Sequence, residues 1–172
     1  MNMYNVGSVK TRKEKRLFCK LLNKFRNEYF KGESPFDIDI QYLDAVGGVV
    51  RNILYKHNTP IGVLESCCGF TYGKKSLGVG TVYIKPQYRN NGMASMAYNF
   101  VEQMANKLGC VFNIQIEESS LKANLQKFID MGFTHAYHIE EWDNGMEYKE
   151  KTFALFKGNN GISQLQPIAE VA

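Results

Sequence analysis

The chain is poor in the residues that carry metal, redox and secreted-scaffold chemistry. Its 172 residues include four cysteines, three histidines, four prolines and one tryptophan. Cys19, Cys67, Cys68 and Cys110 show no paired metal-ligand spacing, and the adjacent Cys67 and Cys68 would point to opposite faces of a strand. That pattern argues against a disulfide framework and a zinc site, and implies reduced thiols packed as small hydrophobes. His57, His135 and His138 form no ligand cluster in the sequence, so no metal is expected. No apolar run approaches the roughly 20 residues of a membrane span. The opening MNMYNVGSVKTRKEKR lacks the apolar centre of a signal peptide, and a cytoplasmic location is expected. No internal repeat appears.

What is present suits one domain with a real core: 44% of residues are hydrophobic and 13% aromatic. The net charge of +4 hides an asymmetry, because Lys10 to Arg26 holds eight Lys or Arg against the single Glu14. That segment carries +7, which leaves −3 for the remainder. Any attraction to an acidic partner should therefore come from this stretch.

The most legible stretch runs from Val79 to Leu108. Val79 to Ile84 is rich in β-branched residues and Tyr, as a half-buried strand requires, and Pro86 ends it. From Met93, apolar residues recur at Met96, Ala97, Phe100, Val101, Met104 and Leu108, which predicts a buried amphipathic helix closed by Gly109. Between them lies Arg89-Asn90-Asn91-Gly92-Met93-Ala94-Ser95. Gly92 and Ala94 remove bulk where the first helical N–H groups have no intrahelical partner, and such donors at the positive end of a helix dipole make a seat for phosphate.

Arg-x-x-Gly-x-Ala, following a strand that ends Val82-Tyr83-Ile84-Lys85-Pro86, resembles the acyl-CoA signature of the GNAT superfamily of N-acetyltransferases. The resemblance implies acetyl-CoA as acyl donor. The turn Arg89, Asn90, Asn91, Gly92, Met93, Ala94 and Ser95 would hold its pyrophosphate, and the backbone of Val82, Tyr83 and Ile84 would pair with its pantetheine arm.

The other elements follow in order. Met3 to Val9 reads as a first strand, Lys10 to Phe30 as an amphipathic helix on Leu17, Leu21, Leu22 and Phe25, and Phe36 to Val46 as a second helix. Val49 to Lys56 and Ile61 to Phe70 form a hairpin through His57-Asn58-Thr59-Pro60. Cys110 to Ile116 alternates as a strand. A helix with Leu121, Leu125, Phe128 and Ile129 on one face follows, capped by Ser119 or Ser120 and ended by Gly132. Phe133 to Trp142 and Met146 to Lys157 flank the turn signal Asp143-Asn144-Gly145. This order predicts an α+β fold, a single GNAT-like domain over residues 1–157 with a mixed, mostly antiparallel sheet flanked by helices and the acyl-CoA site at the turn after the central strand. Residues 158–172 are expected as a flexible tail.

The implied reaction is direct attack of a neutral primary amine on the acetyl thioester. An alkylamine with pKa near ~10.4 must first lose a proton, usually to a carboxylate or to a water held by one. The strand Val79 to Ile84 carries no acid, and Gln115 stands where relatives carry a glutamate. Glu117 and Glu118 are the first candidates for the base, with Glu65 on the preceding hairpin behind them. The tyrosine that many relatives use to protonate the leaving thiolate falls at Phe128, which has no proton to give, leaving water, Tyr98 or Tyr137 as donor. The acceptor is a small molecule or a protein. Two other readings stand beside this one: an acyl-CoA-binding module without turnover that docks on an acidic partner through Lys10 to Arg26, and a nucleic-acid-modifying member of the family using the same face.

Overall fold

The computed structural model describes residues 4–32, 36–139 and 151–171. They form β1 (Tyr4–Ser8), α1 (Arg12–Tyr29), α2 (Ile40–Ala45), β2 (Val49–Lys56), β3 (Thr59–Thr71), β4 (Lys74–Ile84), a 3-10 turn at Pro86–Tyr88, α3 (Met93–Leu108), β5 (Val111–Glu117), α4 (Glu118–Asp130), β6 (His135–Ile139), β7 (Thr152–Phe156), β8 (Gln166–Pro167) and α5 (Ile168–Val171). The fold is α+β, with a mostly antiparallel sheet flanked by helices. The chain makes two compact units, Met1–Cys68 with Val79–Val101 and Gly69–Gly78 with Glu102–Ala172.

In the first unit the strands run β1-β2-β3-β4. Helix α1 starts at Arg12 rather than Lys10 because Thr11 caps it: Thr11 Oγ1 accepts from the Glu14 N–H at 3.2 Å, and Glu14 Oε2 accepts from the Thr11 N–H at 2.7 Å. The apolar stripe of α1 then supplies Phe18, Leu21 and Leu22 to a core closed by Ile38 and by Leu43 of α2. Ile53, Val63 and Tyr83 rise into the same core from β2, β3 and β4, so the odd-numbered positions beside them share the face beneath α1 and α2. β2 and β3 join at His57-Asn58, where His57 takes a φ of 53°. Their register slips by one residue between Leu54 and Tyr55. Pro60, opposite Tyr55, has no N–H for the ladder, which is the local reason for the irregularity.

In the second unit β5, β7, β6 and β8 lie side by side, and β6 pairs antiparallel with β7 from His135↔Phe156 to Ile139↔Thr152. The turn Asp143-Asn144-Gly145 lies outside the described residues. Helix α4 begins at Glu118, and Glu117 occupies the cap position with no side-chain cap bond, so neither Ser119 nor Ser120 is the cap the sequence suggested. Asn124 breaks helical geometry within α4 while its Nδ2 donates to the Ser120 carbonyl at 3.0 Å. Two apolar residues assigned to buried faces are exposed, Leu108 at the last turn of α3 and Ile129 beside Phe128.

The segment expected as a flexible tail carries β8 and α5, through Val171. Ile162, Leu165 and Ile168 are buried, β8 pairs with β6, and the Ile168 N–H donates to the Thr134 carbonyl at 2.9 Å. From Ile162 to Ile168 only every third residue points inward, a density too low to read as an element from the sequence.

Candidate functional site

The end of β4 is held to β3 by the Lys85 N–H, which donates to the Ile61 carbonyl at 2.8 Å. Backbone groups alternate along a strand, so those of Val82 and Ile84 point away from β3. The approach of the two strands is close: a Cβ on Gly62 would lie 2.1 Å from the Tyr83 carbonyl oxygen, so only glycine fits there.

Beyond Pro86–Tyr88 the chain turns sharply, with φ of 63° at Asn90 and 73° at Gly92. Gly92 relieves the strain of that conformation. Its carbonyl accepts the Met96 N–H at 3.0 Å, which makes Gly92 the cap of α3 and places the amides of Met93 and Ala94 in the first turn, without an i−4 acceptor in the helix. Met93 is buried and anchors the turn, while Asn90, Asn91 and Gly92 are exposed. No atom lies within 4 Å of a Cβ built on Gly92, so the space before the helix is open. An oxyanion at this end meets amide donors and the positive pole of a helix running to Leu108.

Arg89 braces the turn from its exposed side. Its Nε donates to the Ile84 carbonyl at 2.8 Å, a second guanidinium nitrogen reaches Glu28 Oε2 at 3.0 Å, and the group lies over the Tyr83 ring. The Tyr83 hydroxyl donates to Glu28 Oε1 at 2.8 Å, and burial together with that carboxylate pushes the phenol up to about 12. Glu28, at the end of α1, has no sequence signal linking it to the turn.

Under α1 and α2 lies a second polar group. Arg51 of β2 and Glu65 of β3 are directly opposite in register, with Arg51 Nε donating to Glu65 Oε1 at 3.2 Å. Arg51 also donates to the Leu43 carbonyl at 2.9 Å, and the Thr81 hydroxyl of β4 favours the charged form of Glu65. The side chains are 11% and 17% exposed. Burial raises the Glu65 carboxyl above the ordinary carboxylate range, against the opposing pull of Arg51, Thr81 and Arg26. The neighbouring Cys67 thiol rises to about 11 through burial and Glu65, which makes it a poor nucleophile. A cleft of about 350 Å³ beside α1, lined by Arg16, Cys19, Ile38, Asp39, Ile40 and Gln41, contains none of these groups.

The remaining sequence candidates belong to other surroundings. Glu117 ends β5, opposite Thr152 of β7. Glu118 pairs with Lys122 at 2.9 Å, and this partner lowers its carboxyl. Phe128 is buried edge-on against Phe133, with ring centroids 6.2 Å apart. Burial raises the phenols of Tyr98 and Tyr137. Among the described residues no group of three or more His, Cys, Asp or Glu is placed to hold a metal, and no helix is long and apolar enough to cross a membrane.

A strand, a glycine-capped turn and a helix arranged this way make an anion-binding corner in an α+β protein. The chain belongs to the Acetyltransferase (GNAT) family, whose model matches residues 17–133. No curated protein matches the sequence. Among solved structures, Arabidopsis thaliana Naa50 in complex with a bisubstrate analogue superposes with a TM-score of 0.61 at 16% identity, covering 91% of this chain and 99% of that one. An aminoglycoside acetyltransferase from an uncultured soil metagenomic sample, in complex with sisomicin, gives a TM-score of 0.62 at 14% identity, covering 86% and 96%. A GNAT family acetyltransferase from Elizabethkingia anophelis with acetyl-CoA bound gives 0.57 at 15%, covering 90% and 97%. At these identities the likeness concerns the fold.

Proposed function

We propose that the protein is an N-acetyltransferase that moves the acetyl group of acetyl-CoA to a primary amine by direct attack. The observation that carries this reading is the Gly92-capped turn, with the Met93 and Ala94 amides presented to open space immediately after β4. Arg89 to Ser95 would seat the pyrophosphate, and the backbone of Val82, Tyr83 and Ile84 would run beside the pantetheine arm. Structural neighbours solved with acetyl-CoA or a bisubstrate analogue support the same donor. The acceptor arrives as an ammonium ion, loses a proton to a carboxylate directly or through water, and attacks the thioester carbonyl. Peptide amines and aminoglycosides are both reasonable first acceptors, since neighbours of each kind share the fold.

Amine-dependent release of thiol from acetyl-CoA tests the proposal. Turnover with any primary amine supports it. Tight acetyl-CoA binding with no turnover across peptide amines, polyamines and aminoglycosides would instead favour the binding-module reading. The basic face that reading needs is smaller than its +7 suggests, because Lys15 pairs with Asp44 and Arg26 is buried. Binding to RNA or DNA that weakens steeply with salt would mark the nucleic-acid alternative.

A further inference from the structure

We propose that Glu65 is the carboxylate that receives the acceptor's ammonium group and takes its proton. The inference rests on the transferase reading above and assigns its acceptor side. Glu65 is the one acid among the Arg51, Glu65 and Thr81 side chains that share the inner face of β2, β3 and β4. Its neighbour Thr81 immediately precedes Val82, where the donor arm is placed, so the carboxylate lies beside the strand along which the thioester would run.

The ion pair with Arg51 does not exhaust this carboxylate. The contact given by Arg51 Nε goes to a single oxygen, Oε1, and another guanidinium nitrogen is turned to the Leu43 carbonyl. An end-on contact of this kind is weaker than a bidentate fork. The charged or titratable groups around Glu65 are Arg51 from β2, Arg26 from α1 and Cys67 on its own strand, with the Thr81 hydroxyl from β4. Burial outweighs these cations and raises the carboxyl, the direction that makes it a better proton acceptor. Glu118, by contrast, is only partly buried, paired with Lys122 and pulled the other way.

The step balances without a further reactant. Glu65 carboxylate takes one proton from R–NH3⁺, and the freed amine lone pair forms the C–N bond at the acetyl carbonyl carbon. The C–S bond breaks with its electron pair leaving on sulfur. The attacking nitrogen then loses its second proton, which neutralises the thiolate, and the Glu65 proton returns to solvent.

The test measures thiol release from acetyl-CoA between about pH 5.5 and about pH 9 with four probes: an alanine-initiated tetrapeptide, Nα-acetyl-lysine, spermidine and kanamycin. With whichever probe turns over, Glu65→Gln should lower kcat by about 10²-fold or more and abolish the acid limb of the profile, while calorimetry shows acetyl-CoA affinity within about twofold of wild type. Glu65→Asp should keep the limb at reduced kcat. Thr81→Val removes a neighbouring hydroxyl that favours the charged carboxylate, so the acid limb should move to higher pH; this variant decides the matter if Glu65→Gln does not fold. A folded Glu65→Gln protein with wild-type kcat and an intact acid limb overturns the proposal, as does an unmoved limb in Thr81→Val. A purely structural ion pair would show that first pattern together with a lowered melting temperature. No thiol release by wild type with any probe removes the transferase reading and this assignment with it, whereas wild-type turnover with an unaffected Glu65→Gln removes this assignment alone.

Discussion

Tyr83 and Glu28, 55 positions apart in sequence, are joined by a 2.8 Å hydrogen bond from the phenol to Oε1, while the other oxygen of the same carboxylate accepts from Arg89. The end of α1, the end of β4 and the turn that opens α3 thus share one anion. Glu28→Gln keeps an acceptor for Tyr83 but deletes a negative charge beside the proposed pyrophosphate seat. Acetyl-CoA affinity should rise about two- to fivefold, and stability should fall by no more than about 1 kcal/mol because the ion pair with Arg89 is partly solvated. Calorimetry and thermal melts read both, and weaker acetyl-CoA binding would contradict the proposed location of the phosphates.

The Tyr83 phenol also makes a statement about alkaline stability. Its folded-state pKa of about 12 lies above the unfolded value near ~10, so its contribution is complete below about pH 10 and disappears as pH rises toward 12. Tyr83→Phe should therefore flatten the loss of stability between about pH 10 and about pH 12, measured as denaturation midpoints against pH. An identical slope in wild type and variant would count against this linkage.

Gly92→Asp should abolish acetyl-CoA binding and leave the fold intact. A Cβ at this position meets no atom within 4 Å beyond its chain neighbours, and Asp and Asn tolerate the left-handed backbone better than other residues. Gly92→Asn is the matched control without the charge. A loss of at least about tenfold in affinity for Asp relative to Asn is expected from repulsion of the pyrophosphate. Equal affinities would remove the anion seat from this turn.

At the position where many relatives hold a tyrosine, Phe128 packs on Phe133, which in turn lies 6.0 Å from Phe112. Phe128→Leu should cost about 1–2 kcal/mol of stability through lost packing and retain most of kcat, with no new alkaline limb. A thiol such as that of cysteine has a pKa near ~8.5, low enough for a thiolate to leave at neutral pH without a dedicated acid. Collapse of kcat in a folded variant with normal acetyl-CoA affinity would give Phe128 a role beyond packing.

Residues 158–171 offer a test of structure rather than chemistry. Ile168→Ala and Leu165→Ala should each lower stability by about 2–4 kcal/mol, since both side chains are buried in the second unit. Unchanged melting temperatures would return this segment to the status of a tail.

The amino-acid sequence by itself determined most of the elements and the glycine turn that opens α3. Periodicity placed α3 at its observed bounds, and the order of β-branched runs, Pro86, Gly92 and Gly109 marked the strand, turn and helix, because these signals act over a few residues. The buried charge pair was decided by tertiary structure. Near the hairpin turn Lys56 faces Thr59 and Tyr55 faces Pro60; continued without a slip, that register would set Arg51 opposite Leu64. The one-residue irregularity at Pro60 sets it opposite Glu65 instead and brings that carboxylate to the face under α1 and α2 that Arg51 already shares with Ile53, since side-chain direction reverses with every residue of shift. Glu28 and Ile168 were hidden for a related reason. Their partners, Tyr83 and Arg89 for one and Thr134 for the other, lie far away in sequence, and only the packed chain brings them within hydrogen-bond reach.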